Sequence, residues 1–252
     1  MKKIKILLAD PRHKTVGAHS YFIPIGIGYI GAYLLQEIKE YEIDLKLSID
    51  SDEIFNLIEE WRPDIIGLSN YVWNANLSNM MCEFAKEKNP NILTILGGPQ
   101  FPAGTGARKI ENTSKDQTYD KCFKYLIDRP GVDYFAYCDG EVTVVELVNK
   151  FIQNKLSINL MKNKDEAIKG CASISLDKKK LLVGEYFPRI GMEGSIKKEG
   201  RDVIPSPYLT GLLDKFLDGK LSPALETSRG CPFLCTFCDQ GLDMSKMATL
   251  SV

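Results

Sequence analysis

The chain has 252 residues, enough for one full domain and part of a second. Hydrophobic residues make up 44% and charged residues 26%, as in ordinary globular proteins, and a net charge of −1 gives no pull toward nucleic acid or an anionic membrane. The opening MKKIKILLAD is too briefly apolar for a signal peptide, and no stretch approaches the roughly 18 apolar residues of a membrane span, so a cytoplasmic protein is expected.

Residues 3–9 are predicted as a first strand, and Ile27, Ile30, Leu34, Leu35 and Ile38 then recur at helical spacing. A second strand is predicted at 43–49. Asp50 and Glu53 open the next helix in the manner of a capping box, carried on by Ile54, Phe55, Leu57, Ile58 and Trp61. Pro63 interrupts before a third strand at 64–69, and Leu77, Met80, Met81 and Phe84 mark a helix face behind it. A fourth strand at 92–96 ends in Gly97-Gly98-Pro99; a helix near 119–128, a strand at 132–138 and a helix at 140–153 follow. Five strand–helix units with short connections define an α/β fold: a flavodoxin-like (Rossmann-type), doubly wound, parallel five-stranded sheet over residues 1–153. Ligands of such sheets sit at the carboxyl ends of the strands.

After residue 154 the pattern changes. Residues 170–176 and 181–185 read as a β-hairpin around Asp177–Lys180, and 191–207 as a linker. A short amphipathic helix is expected at 208–217 and a strand at 224–228. Residues 154–222 are thus a hairpin and linker region, and 223–252 begin another domain.

Of seven cysteines, Cys82, Cys122, Cys138 and Cys171 are scattered and read as small buried hydrophobes. Cys231, Cys235 and Cys238 fall within eight residues, and three thiolates on one loop suit zinc or an iron–sulfur cluster. Structural zinc takes four ligands, and both histidines, His13 and His19, lie far off in the chain. Three cysteines match a [4Fe–4S] cluster with one iron open to S-adenosylmethionine (SAM). Zinc, or a redox pair Cys235-x-x-Cys238, are the alternatives.

Here the sequence resembles the radical SAM superfamily, whose CxxxCxxC signature is matched by Cys231, Cys235 and Cys238. The resemblance implies a (β/α) barrel beginning at the strand before the loop, with Phe237 contacting SAM. Only 14 residues follow Cys238, so the barrel is expected to be incomplete, and the chain a truncated piece with no turnover alone.

Gly26-Ile-Gly28-Tyr-Ile-Gly31 is a literal GxGxxG with Asp50 some twenty residues on. A dinucleotide fingerprint follows the first strand immediately, whereas here about sixteen residues intervene, so the glycines read as close packing and room for a bulky ligand. Residues 1–153 resemble instead the cobalamin (B12)-binding domain preceding the barrel in one radical SAM class. Pro24-Ile-Gly26, Tyr29-Ile-Gly-Ala32, Pro63–Ser69, Gly97-Gly98-Pro99 and Asp139-Gly140-Glu141 occur in the family's order. The resemblance implies a cobalamin site at Ser69, Asn70, Tyr71, Gly97, Gly98, Pro99, Gly140 and Glu141, the nucleotide tail sliding between sheet and helices. Asp10-Pro-Arg-His13 with Gly17 departs in spacing from the motif of proteins that ligate cobalt through histidine, so no histidine ligand is expected, and His13 reads as an exposed loop residue.

The expectation is then the N-terminal part of a cobalamin-dependent radical SAM enzyme binding B12, a [4Fe–4S] cluster and SAM. Methyl transfer to an unactivated carbon is the leading outcome; ring formation and oxidation occur among relatives. The class implies a small-molecule or peptide substrate and a flavodoxin or ferredoxin electron donor, with no nucleic-acid or membrane partner. The rival readings are a non-enzymatic cobalamin-binding or sensor module and a zinc or thiol-redox protein on the same scaffold.

Overall fold

The computed structural model describes residues 2–14, 21–103, 110, 117–186, 204–227 and 229, and the backbone of 197–198, 201–202, 228 and 248–249. β1 (Lys2–Arg12), β2 (Tyr41–Asp50), β3 (Ile65–Ser69), β4 (Leu93–Gly97) and β5 (Tyr134–Ala136) are parallel neighbours in the order β2-β1-β3-β4-β5. That order reverses direction between β1 and β3, the switch point at which doubly wound sheets bind ligands. Strand β1 is buried along most of its length because both faces are covered.

The helices divide the core in two. On one face α1 (Ile25–Glu37) and α5 (Gly140–Gln153) pack through Ile27, Leu34, Val144, Leu147 and Phe151 onto Ile4, Ile6 and Leu8. On the other, α2 (Ser51–Asn56), α3 (Ala75–Lys88) and α4 (Thr118–Ile127) cover Leu7, Ile66, Leu68 and Leu96. The expected cap of α2 is formed: Asp50 Oδ1 accepts from the backbone N–H groups of Asp52 and Glu53 at 2.9 and 3.0 Å. The helix then widens into a π-turn at Leu57–Trp61 and stops at Arg62, whose φ is 51°. The short helix α6 (Ile158–Lys162) follows α5.

Four features differ from the sequence reading. The sheet has seven strands rather than five, because the predicted hairpin joins it: β6 (Cys171–Ile174) pairs antiparallel with β5, and β7 (Leu181–Val183) with β6. An antiparallel hairpin needs no crossover helix, so it can extend an otherwise parallel sheet at its edge. The helix expected at 208–217 is a run of turns with one 3₁₀ turn at Asp214–Phe216, since Gly211 adopts a left-handed φ of 75°. The expected barrel strand at 224–228 is mostly irregular. Ser228–Arg229 pairs antiparallel with Ala248–Thr249, and no parallel neighbour is present for it among the described residues. Lys197–Lys198 and Arg201–Asp202 form a minimal hairpin inside the expected linker. No helix among the described residues is long and apolar enough to cross a membrane.

Candidate functional site

Strand register builds the site. Leu8, Gly67 and Ile95 lie side by side in one row, and Ser69, Gly97 and Ala136 in the next, with Asp10 beside Ser69. Side chains alternate faces along a strand, so both rows point toward α1 and α5. The terminal row is a carboxylate, a hydroxymethyl, a hydrogen and a methyl, which leaves nothing large enough to reach the helices. A cavity of about 370 Å³ opens there, roofed by the first turns of α1 (Pro24, Gly26, Ile27) and α5 (Gly140, Glu141, Val144).

Six of the eight residues expected at a cobalamin site line this cavity: Ser69, Tyr71, Gly97, Gly98, Gly140 and Glu141. Asn70 and Pro99 do not. Alternation turns Asn70 to the opposite face, where it is buried, its Oδ1 accepting from the Tyr125 hydroxyl at 2.8 Å and its N–H donating to Gly97 O at 2.7 Å. Pro99 is half-buried beyond the turn. The two glycines differ. Gly98 holds φ +138°, and a Cβ there would stand 2.6 Å from Asn70 O, whereas a Cβ on Gly97 would meet Ala136 at an ordinary 3.5 Å. Gly26 also faces open space. The other two GxGxxG glycines serve α1 packing: Gly28 meets Pro207 and Leu213, Gly31 meets Leu45.

Ser69 is held in a short chain. Its hydroxyl donates to Asp10 Oδ1 at 2.6 Å and accepts from Asn74 Nδ2 at 2.9 Å, while Asn74 Oδ1 accepts from Tyr71 N–H at 2.7 Å. One lone pair of the hydroxyl is left for a ligand donor. Burial, then the neighbouring Asp10 carboxylate, push the Tyr71 phenol up. Its ring stacks on Trp73 at 4.6 Å, and Trp73 is largely exposed. At the other rim Arg229 reaches Glu141 at 2.5 Å, Glu226 at 2.8 Å and Asp139 at 3.3 Å. Burial pushes the Glu141 carboxyl up, and the Arg229 charge opposes that push. Asp10, Gly67, Asn74, Glu226 and Arg229 were not expected at the site. Counting alternate positions back from Ser69 finds Gly67; the others become visible only through long-range contacts.

His13 lies exposed past the end of β1, its Nε2 donating to Trp73 O at 2.8 Å. Cys82, Cys122 and Cys171 are buried as expected, and Cys138 is half-buried on the cavity wall. Cys231, Cys235, Cys238 and Phe237 lie outside the described residues, among which no group of three or more His, Cys, Asp or Glu side chains could hold a metal ion.

A Rossmann-like sheet whose terminal row is emptied of large side chains at the switch point defines an α/β protein with room for a ligand at its strand ends. The comparisons with known proteins make this narrower: residues 15–108 match the B12 binding domain family. Along nearly its whole length the chain resembles the radical SAM class that carries such a domain. It is 27% identical to the cobalamin-dependent radical SAM methyltransferase TokK of Streptomyces tokunonensis, over 93% of this chain and 31% of the relative. It is 26% identical to an uncharacterized methyltransferase of Pyrococcus horikoshii, over 98% of this chain and 47% of the relative. The cobalamin-dependent SAM radical enzyme OxsB, solved with aqua-cobalamin bound, shares the fold with a TM-score of 0.56 at 21% identity, over 98% of this chain and 30% of that one. The chain thus spans less than half the length of these relatives.

Proposed function

We propose that this chain is the cobalamin-binding part of a cobalamin-dependent radical SAM enzyme, with the nucleotide tail of cobalamin in the cavity between the sheet and helices α1 and α5. The observation that carries the proposal is the terminal row Asp10, Ser69, Gly97 and Ala136, of which Ser69 and Gly97 lie inside the span matched by the B12 binding domain family. The fit is one of shape and polarity. A volume of about 370 Å³ lies within the range, about 300–1,000 Å³, of cavities that take small ligands, and suits a nucleotide rather than a whole corrinoid. In this reading Gly97 and Gly98 let the tail approach the backbone, Ser69 accepts a hydrogen bond from it, and Asp10 and Asn74 fix the Ser69 rotamer.

Cys231, Cys235 and Cys238 are assigned to a [4Fe–4S] cluster and Phe237 to SAM, supported by their spacing and by the class of the relatives. When bound, these groups supply one-electron cleavage of the SAM sulfonium bond and a carrier for a methyl group. Methyl transfer to an unactivated carbon of a small molecule or peptide is the leading reaction, with a flavodoxin or ferredoxin as electron donor. An anaerobic magnesium-protoporphyrin IX monomethyl ester cyclase of Rubrivivax gelatinosus, 23% identical, keeps ring formation within range.

Titration of the purified chain with hydroxocobalamin, followed by gel filtration and a visible spectrum, tests the cobalamin assignment. A co-eluting corrinoid band is expected; a folded chain that retains none refutes it. Iron and sulfide analysis after anaerobic reconstitution tests the cysteines, and zinc without iron would overturn the cluster assignment.

A further inference from the structure

The cavity is polar at one end and apolar at the other. At the outer end it is bordered by a strap. Phe22 and Ser222 form a parallel bridge, Ile23 N–H donates to Ser222 O at 2.9 Å, and the segment beyond carries Glu226 and Arg229 onto the wall. Asp139 and Glu141 meet Arg229 from the start of α5. Asp10 and Ser69 stand in the terminal row of the sheet, and Tyr71 and Cys138 lie beyond the strand ends.

One row deeper the character changes. Leu8, Gly67 and Ile95 form the floor, and their backbone groups are spent on the ladders joining β1, β3 and β4. Ile30 and Val144 stand one helical turn past Gly26 and Gly140, and with Ile27 they close the roof. Among the described residues, no side chain lining this inner end carries a hydrogen-bonding group. The floor has its depth because residue 67 lacks a side chain: a Cβ there would stand 2.8 Å from Leu8 Cδ2.

A ligand with a sugar at the outer end and a flat ring at the inner end fits this gradient. An amine or hydroxyl on the edge of the ring remote from the sugar would lose its water without gaining a partner, whereas a methyl group there gains contact with apolar side chains. We propose that the inner end makes the site selective for the base of the nucleotide tail. It takes a base whose remote edge is apolar, such as 5,6-dimethylbenzimidazole, and rejects one whose remote edge is polar, such as adenine or 5-hydroxybenzimidazole. Gly67 sets the depth available, and Ile27, Ile30, Ile95 and Val144 set the polarity. This rests on the cobalamin reading above and deepens it from the presence of a tail to the chemistry of its base.

The test is anaerobic equilibrium dialysis of the full chain against four corrinoids in the cob(I) state: cobalamin, its 5-hydroxybenzimidazole and adenine counterparts, and cobinamide, which has no nucleotide. Four-coordinate cob(I) holds no base, so the comparison reads the cavity and not the strength of a cobalt–nitrogen bond. Cobalamin is expected to bind about tenfold or more tighter than either counterpart with a polar edge. Gly67→Ala, whose methyl moves Leu8 Cδ2 into the inner end, is expected to weaken cobalamin by about fivefold or more and to leave cobinamide nearly unchanged. Equal affinity for the three corrinoids that carry a base, or a folded Gly67→Ala chain with an unaltered preference for cobalamin over cobinamide, overturns the selectivity and leaves the cobalamin reading standing. Wild-type affinity for cobalamin no greater than for cobinamide overturns the placement of the tail, and this inference with it. A folded chain that retains no corrinoid overturns the cobalamin reading itself.

Discussion

Gly97→Leu separates a binding role for the cavity from a merely structural one. The Cβ of residue 97 would lie 3.5 Å from Ala136 O and 3.6 Å from Ala136 Cβ, so its first carbon is accommodated without strain. Strand alternation then directs the remaining three carbons along the face shared with Ile95, into the space of about 370 Å³ under α1 and α5. Without ligand the leucine lies against Ile27 and Val144, and stability should change by less than about 1 kcal/mol. A tail entering the same space must displace it. Overpacking of this kind costs about 1–3 kcal/mol, which weakens hydroxocobalamin binding about 5- to 150-fold. The assay is a visible titration paired with a urea melt on the same preparation. Wild-type affinity in a normally folded Gly97→Leu chain would refute the placement of the tail; loss of the fold would refute the account of residue 97 as spare room.

Gly98→Ala should behave oppositely. At φ +138° with Asn70 O 2.6 Å from the new methyl, it is expected to destabilise the chain by about 1–3 kcal/mol, read as a shift in urea midpoint before any ligand is added. Ser69→Ala takes the hydroxyl from Asp10 Oδ1 and from one Asn74 N–H, while Arg12 still pairs Asp10 Oδ2; a loss of about 1–3 kcal/mol in the same melt, together with weaker hydroxocobalamin binding, is expected. Asp133 is buried at the far end of β5 between Lys86 and Lys162, at 2.5 and 2.9 Å. Burial alone would raise its carboxyl, but the two lysines outweigh it and hold it below the ordinary 3.8. Its contribution to stability is therefore present above about pH 4 and lost as pH falls through the lowered value. Asp133→Asn should cost about 3–5 kcal/mol near neutrality and flatten the acid limb of a stability-against-pH curve. An unaltered acid limb would show that Asp133 is not the group responsible.

How far the sequence could be read depended on how local each signal was. Helix α5 was legible to its ends because a glycine opens it and its apolar period is unbroken, and the Asp50 cap needed no partner beyond Glu53. The hairpin strands were legible too, but their membership of the sheet was not. It depends on contacts such as Tyr137 N–H to Gly170 O and the Tyr137 hydroxyl to Gly184 O, which join residues more than thirty apart. Asn70 was expected at the site by its adjacency to Ser69, whereas strand alternation sends its side chain to the other face, away from the cavity. Arg229 carried no sequence signal, since its partners Asp139 and Glu141 lie 90 and 88 residues away.

The bridge between Phe22 and Ser222 has a consequence for how the protein is made. Its two halves leave the ribosome about 200 residues apart, which at roughly 5–20 residues per second means a delay of about 10–40 seconds. During that interval β1 to β5 can assemble, while the side of the cavity that Glu226 and Arg229 will cover stays exposed to the medium. Any molecule that settles there before the strap arrives has a path in that the finished fold narrows, so the timing of synthesis itself can govern when the cavity is filled.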